Sequence, residues 1–355
     1  MKNIVLTGGG TAGHCIPNVS LLPYLKKEFS NIYYIGSKDG IERKIIEKNK
    51  IEYFSVSCAK LKRSFSLSNL LIPFTVIKGI KEAGKILDKL KPSIIFSKGG
   101  YVSVPVVISA KKRKIPVISH ESDLTIGLAN KINSKNSKYL LTSFQETAKL
   151  VKNGLYVGPP LKNSLFTPSN KIETLKKIGL SNDKPILLIT GGSQGAQSIN
   201  EAVYSSIHRL SKIFNVIHLC GKNNINHKIN VKNYKQIEFY DNIEEIFKIS
   251  DVCITRAGSN TLFELLSLKI PSLVIPLENK ASRGDQVLNA KYFKNKNMIN
   301  VLHEKNLSPT RLINETIKTF ENANFYRKNI NANPIINSTE KIYKIISLCS
   351  ENTAL

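Results

Sequence analysis

The sequence is short of cysteine, short of acidic residues and without a long apolar run, and each shortage removes a class of protein. The five cysteines (15, 58, 220, 253 and 349) are odd in number, widely scattered and never form Cys-x-x-Cys. They support neither a disulfide framework nor a zinc site. No charge-free apolar stretch reaches the roughly 18 to 20 residues of a membrane span. The closest, "SFSLSNLLIPFTVI" at 64–77, is shorter and contains Pro73. The chain enters strand-like sequence at Asn3 without the basic, apolar, small-residue succession of a secretory leader, so a cytoplasmic protein is expected.

The acid shortage leaves 52 Lys and Arg against 26 Asp and Glu, a net charge of +26. Such a charge suits nucleic acid, an anionic membrane surface or anionic substrates. Because the basic residues are spread along the whole chain, compositional drift explains it as well. No RNP motif, zinc finger or aromatic-interleaved basic stripe is present, so no nucleic-acid partner is expected.

What is present is an alternation of short apolar runs with helical patterns. Strands are predicted at 3–7, 31–36, 93–97, 115–119 and 139–143, and again at 185–190, 214–221, 252–255 and 272–277. Helices are predicted between them, for example at 16–28 and 76–90. That alternation implies parallel strands with crossover helices, an α/β fold. At 355 residues, two domains of ordinary size are expected, each with its own core.

An internal echo sharpens this. "IVLTGGGTAG" at 4–13 resembles "LLITGGSQGA" at 187–196. In each, Thr-Gly-Gly ends an apolar strand and precedes a helix. One dinucleotide-binding domain needs no second such start, whereas two doubly wound domains facing one cleft do. The joint is placed in "GPPLKNSLFTPSN" at 158–170, where Pro and Gly cluster and helical pattern is absent.

The first glycine loop, "LTGGGTAGH" at 6–14, satisfies G-x-G-x-x-G through Gly8, Gly10 and Gly13. A nicotinamide site would also need an acid ending the second strand. That strand ends "YIGSKDG", with Asp39 late and in a turn. Glycines do let the backbone approach a ligand closely, and the following helix start suits an anion. His14 is predicted in the first helical turn, where the positive end disfavours the imidazolium and leaves a ring able to accept a proton. Packing or capping is its alternative role.

Further polar loops follow other strands. "SKGGY" (97–101) carries a glycine pair, and "HESD" (120–123) offers His120 and Glu121 as either a catalytic pair or a buried ion pair fixing a loop. "GGSQGA" (191–196) puts Ser193 and Gln194 with free amides at a helix start, suited to a diphosphate. "TRAGSNTLFE" (255–264) begins a helix with Glu264 about one turn in, able to accept both hydroxyls of a ribose or simply to complement the helix dipole. "PLENKASRGDQVLNA" (276–290) adds Asp285, Gln286 and Asn289. Together these describe a nucleotide site without a Walker lysine.

In order and spacing, "GGGTAGH", "GGY", "GGSQGA", "RAGS" with its following Glu, and "DQVLNA" closely resemble the MurG family of peptidoglycan glycosyltransferases, over nearly the whole chain. The resemblance implies the GT-B architecture of two Rossmann-like, doubly wound parallel-sheet domains facing a cleft. It implies residues 1–162 as an acceptor and membrane-side domain and 163–335 as a UDP-sugar donor domain. Residues 336–355 would form a helix packing back on the first. The implied activity is inverting transfer of N-acetylglucosamine from UDP-N-acetylglucosamine to the 4-hydroxyl of an undecaprenyl-linked muramyl-pentapeptide, in cell-wall synthesis. Another GT-B lipid glycosyltransferase or a UDP-N-acetylglucosamine epimerase is the alternative.

By position, the resemblance makes His14 the group near the acceptor hydroxyl. Thr11, Ala12, Gly13, Asp123, Lys162, Ser193, Gln194, Tyr240, Ser259, Glu264 and Gln286 become donor contacts, with Tyr240 beside the uracil, Glu264 on the ribose and Gln286 on the sugar. His120, Glu121 and Asn289 would support them or touch the acceptor. Ala12 stands where the family commonly has glycine, Asp123 where it has asparagine and Lys162 where it has arginine. Lysine keeps the charge but loses the bidentate fork, and Asp123 exchanges an amide for an acceptor-only carboxylate. No Asp-x-Asp occurs, Glu121-Ser122-Asp123 being the nearest approach, so no metal or other cofactor is expected to be required, although a loosely held Mg²⁺ stays open. Leu70, Leu71 and Phe74, rimmed by lysines, are read as an apolar patch resting on the anionic inner leaflet, which places the protein peripherally on the cytoplasmic face. An ordinary surface helix is the alternative.

Overall fold

A computed structural model describes residues 2–60, 72–192, 194–278 and 283–351. The chain divides into two compact units, Met1–Lys162 with Asn337–Leu355, and Asn163–Ile336.

In the first unit the strands are β1 (Asn3–Thr7), β2 (Asn31–Gly36), β3 (Glu52–Ser55), β4 (Ile94–Ser97), β5 (Val117–Glu121), β6 (Tyr139–Thr142) and β7 (Gly154–Tyr156). The helices between them are α1 (Ile16–Leu25), α2 (Ile41–Lys48), α3 (Ile72–Leu90), α4 (Ser103–Lys112), α5 (Leu128–Ser134) and α6 (Gln145–Ala148). All seven strands pair in parallel in the order β3-β2-β1-β4-β5-β6-β7. Strands buried on both faces explain why "IVL" and "IIF" read as unbroken apolar runs rather than alternating ones.

The second unit repeats the plan with α7 (Lys171–Ile178), β8 (Ile186–Thr190), α8 (Gln197–Ile213), β9 (Asn215–Leu219), β10 (Tyr234–Ile237) and α9 (Ile243–Ile249). It continues through β11 (Val252–Thr255), α10 (Ser259–Ser267), β12 (Ser272–Val274), α11 (Asp285–Asn295), β13 (Asn300–Val301), α12 (Pro309–Glu321) and α13 (Ala323–Ala332). Its six strands are parallel in the order β10-β9-β8-β11-β12-β13. Local chemistry sets several helix ends. The Asn170 side chain caps α7 by accepting the Glu173 N–H at 3.2 Å, and Gly179 ends it in the left-handed region. Ser308 caps α12 ahead of Pro309 at the first helical position.

The last helix, α14 (Thr339–Glu351), belongs to the first unit. Ile342, Ile346 and Cys349 enter its core beside Leu21, Leu22 and Leu25, and Tyr343 packs on Tyr24. The chain is clasped where it returns. The Ser338 N–H donates to Pro159 O at 3.0 Å, the Leu161 N–H to Asn337 Oδ1 at 3.1 Å, and Thr339 Oγ1 to Leu161 O at 2.8 Å.

Several predicted bounds move. The strand expected at 115–119 is β5 at Val117–Glu121, because Pro116 offers no N–H and the ladder starts after it. His120 and Glu121 thus end a strand rather than open a loop. The helix expected from 76 starts at Ile72 with Pro73 in its first turn, where proline is tolerated. Strands β3, β7, β10 and β13 were not predicted, being two to four residues long and partly exposed.

Doubly wound order has one consequence for function. Connections leave β1 and β4, and likewise β8 and β11, toward opposite faces, and the carboxyl ends of such strand pairs are where doubly wound sheets bind ligands. In the first unit these are the loops at 8–14 and 98–102; in the second, those at 191–196 and 256–258. Because α14 completes the core of the first unit, Ile342→Ala is expected to lower that unit's stability by about 3 kcal/mol. Leu348→Ala, at an exposed position of the same helix, is expected to change it by less than about 0.5 kcal/mol. Urea unfolding followed by far-ultraviolet circular dichroism measures both.

Candidate active site

In the first unit, two glycine loops meet backbone to backbone. Gly10 and Gly100 both have positive φ, +86° and +78°. A Cβ on Gly100 would stand 2.2 Å from Gly9 O, and one on Gly10 would stand 2.5 Å from the Tyr101 ring. Only glycine permits both the backbone twist and that approach. From beneath, the buried Tyr34 hydroxyl donates to Gly8 O at 2.7 Å.

Glu42, which sequence reasoning missed, locks the same loop. It is wholly buried in the first turn of α2 and accepts from the Gly10 N–H at 3.2 Å, the Ser37 N–H at 3.1 Å and the Ser37 hydroxyl. A buried carboxylate is tolerable when so many donors replace water. With its oxygens committed to Gly10 and Ser37, the acid after β2 ties two loops together. Its signal in the sequence was an acid opening a helix directly after a strand and turn.

Thr11, Ala12, Gly13 and His14 form the outer part of this loop. Ala12–His14 is a 3-10 turn, and α1 starts only at Ile16. His14 therefore precedes the helix start rather than lying in its first turn, as expected from sequence. Its Nδ1 lies 2.9 Å from Thr11 Oγ1. The ring is half-buried and Thr11 is exposed. The neighbouring Cys15 is no competitor, since burial pushes its thiol up to about 12.

"HESD" resolves into two separate jobs. Glu121 accepts from the N–H groups of Ser122 (2.9 Å), Asp123 (3.1 Å) and Gly127 (3.0 Å) and from Asn130 Nδ2 (3.0 Å), so it shapes the 122–127 loop. It makes no ion pair with His120. His120 faces Lys98 instead, with Nζ to Nδ1 at 2.8 Å, and Lys98 Nζ also reaches the Ser122 hydroxyl. Burial, then the Lys98 charge, hold His120 well below the usual histidine range, against the Gly158 backbone. Neither His120 nor Glu121 is exposed enough to meet substrate. Asp123, next along, is half-buried. Lys98 was also missed; its signal was a lysine between a strand end and a glycine pair, in "SKGGY".

In the second unit, Gln194 lies three residues before α8 rather than at its start, and its carbonyl accepts from Asn224 Nδ2 at 3.4 Å. Ser193 lies outside the described residues, as do Leu70 and Leu71. Ser259 is the buried first residue of α10, and half-buried Glu264 falls in its second turn, deeper than expected. Tyr240 is half-buried in the β10–α9 loop with its hydroxyl 3.2 Å from Glu245 Oε2. Gln286, on the first turn of α11, accepts the Leu277 N–H at 3.0 Å through Oε1. Asn289 is buried and donates to Ala257 O at 3.2 Å, bracing the "RAGS" turn rather than presenting an amide outward. Lys162 closes the first unit and is half-buried.

A third missed residue is Arg256. Its buried guanidinium donates to Glu304 Oε1 at 2.5 Å, Ser198 Oγ at 2.9 Å, Ile275 O at 3.2 Å and Pro276 O at 3.3 Å. Against the opposing effect of burial, Ser198, Arg256 and the Glu278 N–H hold the Glu304 carboxyl below its usual range. This network ties the start of α8 to the segments after β11, β12 and β13. A separate polar cavity of about 350 Å³, lined by Ser164, Asn170, Glu173, Lys177, Glu245 and Lys248 among others, includes none of the predicted site residues.

Two glycine-loop α/β units with polar loops at the carboxyl ends of β1, β4, β8 and β11 are the plan of the GT-B fold. Residues 4–142 match the glycosyltransferase family 28 N-terminal domain and residues 186–348 its C-terminal domain. The chain belongs to glycosyltransferase family 28. It is 46% identical over 350 residues to the UDP-N-acetylglucosamine--N-acetylmuramyl-(pentapeptide) pyrophosphoryl-undecaprenol N-acetylglucosamine transferase of Clostridium botulinum, covering 98% of this chain and 99% of that one. Among solved structures, Acinetobacter baumannii MurG is similar with a TM-score of 0.73 and 21% identity, over 98% of this chain and 99% of the other. The UDP-GlcNAc 2-epimerase of Neisseria meningitidis shares the fold at a TM-score of 0.67 and 16% identity, over 99% and 100%.

The buried Lys98 leaves a measurable mark on stability. Burial pushes its amine down to about 8, with Glu121 and Asp123 partly opposing. Between about pH 8 and 10.5 the unfolded chain therefore holds a proton that the folded chain has lost, so this group makes stability rise with pH there. Lys98→Met is expected to remove that rise: the wild type should gain on the variant by up to about 3 kcal/mol between pH 7.5 and 10.5, read by urea unfolding at the two values.

Proposed function

We infer that this chain transfers N-acetylglucosamine from UDP-N-acetylglucosamine to the 4-hydroxyl of an undecaprenyl-pyrophosphoryl muramyl-pentapeptide, with inversion at the anomeric carbon. The observation that carries the reading is the 46% identity over 98% of the chain to a transferase of that name. The retained glycine loops and His14 support it.

In this reading the acceptor belongs to the first unit and the donor to the second. The amides of the 191–196 loop and the positive start of α8 receive the leaving diphosphate. Glu264 accepts from the ribose hydroxyls and Tyr240 sits beside the uracil. Gln286, whose side-chain oxygen is already committed to Leu277, offers its amide nitrogen as a donor to the sugar. Asp123 accepts from a hydroxyl of the transferred sugar, and Lys162 adds positive charge for the departing UDP.

The acceptor 4-oxygen attacks the anomeric carbon, the bond to the diphosphate oxygen breaks, and the hydroxyl proton goes to His14. A ring that takes this proton on Nε2 must carry its other proton on Nδ1. Thr11 Oγ1, at 2.9 Å from Nδ1, selects that tautomer by accepting the Nδ1–H. Thr11 thus serves the base from the same loop that serves the donor.

The exposed face of α3 supports membrane association. Phe74, Ile77, Lys78, Lys81 and Lys85 share it, with Phe74 72% exposed. Apolar side chains with a cationic rim suit an anionic lipid surface, at about 1 kcal/mol per basic residue. No helix among the described residues is long and apolar enough to cross a membrane.

Purified protein with UDP-N-acetylglucosamine and a short-chain lipid-linked muramyl-pentapeptide tests the reading through UDP release. Release that requires the acceptor supports transfer; release without it favours the epimerase alternative. His14→Ala is expected to lower kcat by about 10²- to 10⁴-fold with little change in donor KM; an unchanged kcat would remove His14 from the base role. The double variant Phe74→Asp, Ile77→Asp is expected to lose sedimentation with phosphatidylglycerol vesicles by at least about tenfold, and undiminished binding would count against the patch.

A further inference from the structure

Three successive peptide groups after β12 are held by one buried ion pair. Arg256 Nη1 donates to Ile275 O at 3.2 Å and to Pro276 O at 3.3 Å. Its other terminal nitrogen, Nη2, donates to Glu304 Oε1 at 2.5 Å and to Ser198 Oγ at 2.9 Å. Glu304 Oε2 in turn accepts the Glu278 N–H at 3.3 Å. The middle peptide, between Pro276 and Leu277, faces two ways. A trans peptide is planar, so its carbonyl and its N–H point to opposite sides. With the Pro276 carbonyl turned to Arg256, the Leu277 N–H is sent away from the arginine, and Gln286 Oε1 accepts it at 3.0 Å. That bond commits the oxygen of the Gln286 amide. What the side chain has for a ligand is Nε2, which only donates. Burying an ion pair often adds little net stability. The guanidinium does supply what an apolar side chain could not, a planar fork that takes two carbonyls with one nitrogen and a carboxylate with the other.

We propose that Arg256 is a positioning residue for the donor sugar: through the Pro276–Leu277 peptide it fixes which end of the Gln286 amide meets the sugar, and Glu304 holds the arginine in that pose. The inference deepens the reading of Gln286 as a sugar contact and rests on it. Arg256 acts at one remove, through a backbone plane rather than by touching the donor. With the Pro276 carbonyl released, the peptide is free to turn and the Leu277 N–H leaves Gln286. The amide then loses the partner that distinguishes its oxygen from its nitrogen, and either end can face the sugar. Held as it is, Gln286 recognises a sugar oxygen as acceptor. The same carboxylate that steadies Arg256 also accepts the Ser198 hydroxyl at the start of α8, at 2.6 Å. The fold thus fixes the Gln286 segment and the first turn of the helix after the glycine loop from one point.

A double-mutant cycle on the full chain tests this, with the affinities of UDP-N-acetylglucosamine and of UDP read by isothermal titration calorimetry. Arg256→Lys keeps a positive charge for Glu304 but has no second nitrogen for the two carbonyls. Gln286→Ala removes the positioned amide. Each single variant is expected to weaken UDP-N-acetylglucosamine by at least about fivefold, within the range of one lost hydrogen bond, and to leave UDP within about twofold. The double variant is expected to match the poorer single within about twofold, since an arginine with no amide to aim has no further effect. Costs that multiply in the double variant would overturn the inference. So would an Arg256→Lys that weakens UDP as much as UDP-N-acetylglucosamine, which is the mark of a general structural brace. Should Arg256→Lys not fold, Glu304→Gln takes its place. Its amide oxygen turns to the guanidinium, so the Glu278 N–H loses its acceptor, and the same selective, non-additive loss is expected; its absence would overturn the inference. A Gln286→Ala without effect would overturn the sugar contact and this inference with it. A wild type that fails to bind UDP-N-acetylglucosamine would overturn the transfer reading and both that depend on it.

Discussion

The structure depends on one close approach, between the loop after β1 and the loop after β4 at the point where the first parallel sheet reverses its winding. Gly100 lies against the Gly9 carbonyl with no room for a side chain. Everything around that contact holds it in place. Tyr34 supports Gly8 from below, Glu42 takes the Gly10 N–H, and the Lys98 stem packs against Gly8. The outcome is a rigid inner loop carrying a short outer turn with Thr11 and His14. The proposed base role of His14 suits that division: the ring is half-buried, and the backbone that carries it is fixed by buried groups.

The second unit solves the same problem differently. It has no counterpart of Glu42 reaching its glycine loop from a helix start among the described residues. Its surface is tied by one buried arginine instead, with Arg256 spanning Ser198, Glu304 and two carbonyls after β12. The internal echo in sequence thus reports a shared backbone plan, while the polar fastenings beneath the two loops are unrelated. A duplicated fold fixes where a site can be, and its side chains decide what it holds.

Much of this was legible in the sequence, and the reasons are physical. Parallel strands buried on both faces must be continuously apolar, so "NIVLT", "PILLIT" and "VCIT" announced themselves. Glycines at forced backbone approaches marked the loops at the strand ends. Edge strands such as β7 and β13 were missed because a strand of two or three half-exposed residues has no period to read. Buried charges were missed for a different reason. Glu42, Lys98 and Arg256 look like surface residues in sequence, and only the packing of distant segments shows them to be interior. His120 and Glu121 were found as a pair but misread as partners. Consecutive residues on a strand point to opposite faces, so each serves a different neighbour.

The most direct measurement is the stereochemistry of the sugar linkage formed by the wild-type enzyme from UDP-N-acetylglucosamine and the lipid-linked acceptor, read by proton NMR of the isolated product. A single displacement assisted by His14 requires a β-linked disaccharide from the α-linked donor. An α-linked product would contradict a single displacement, and free N-acetylglucosamine or its epimer in place of disaccharide would contradict transfer altogether.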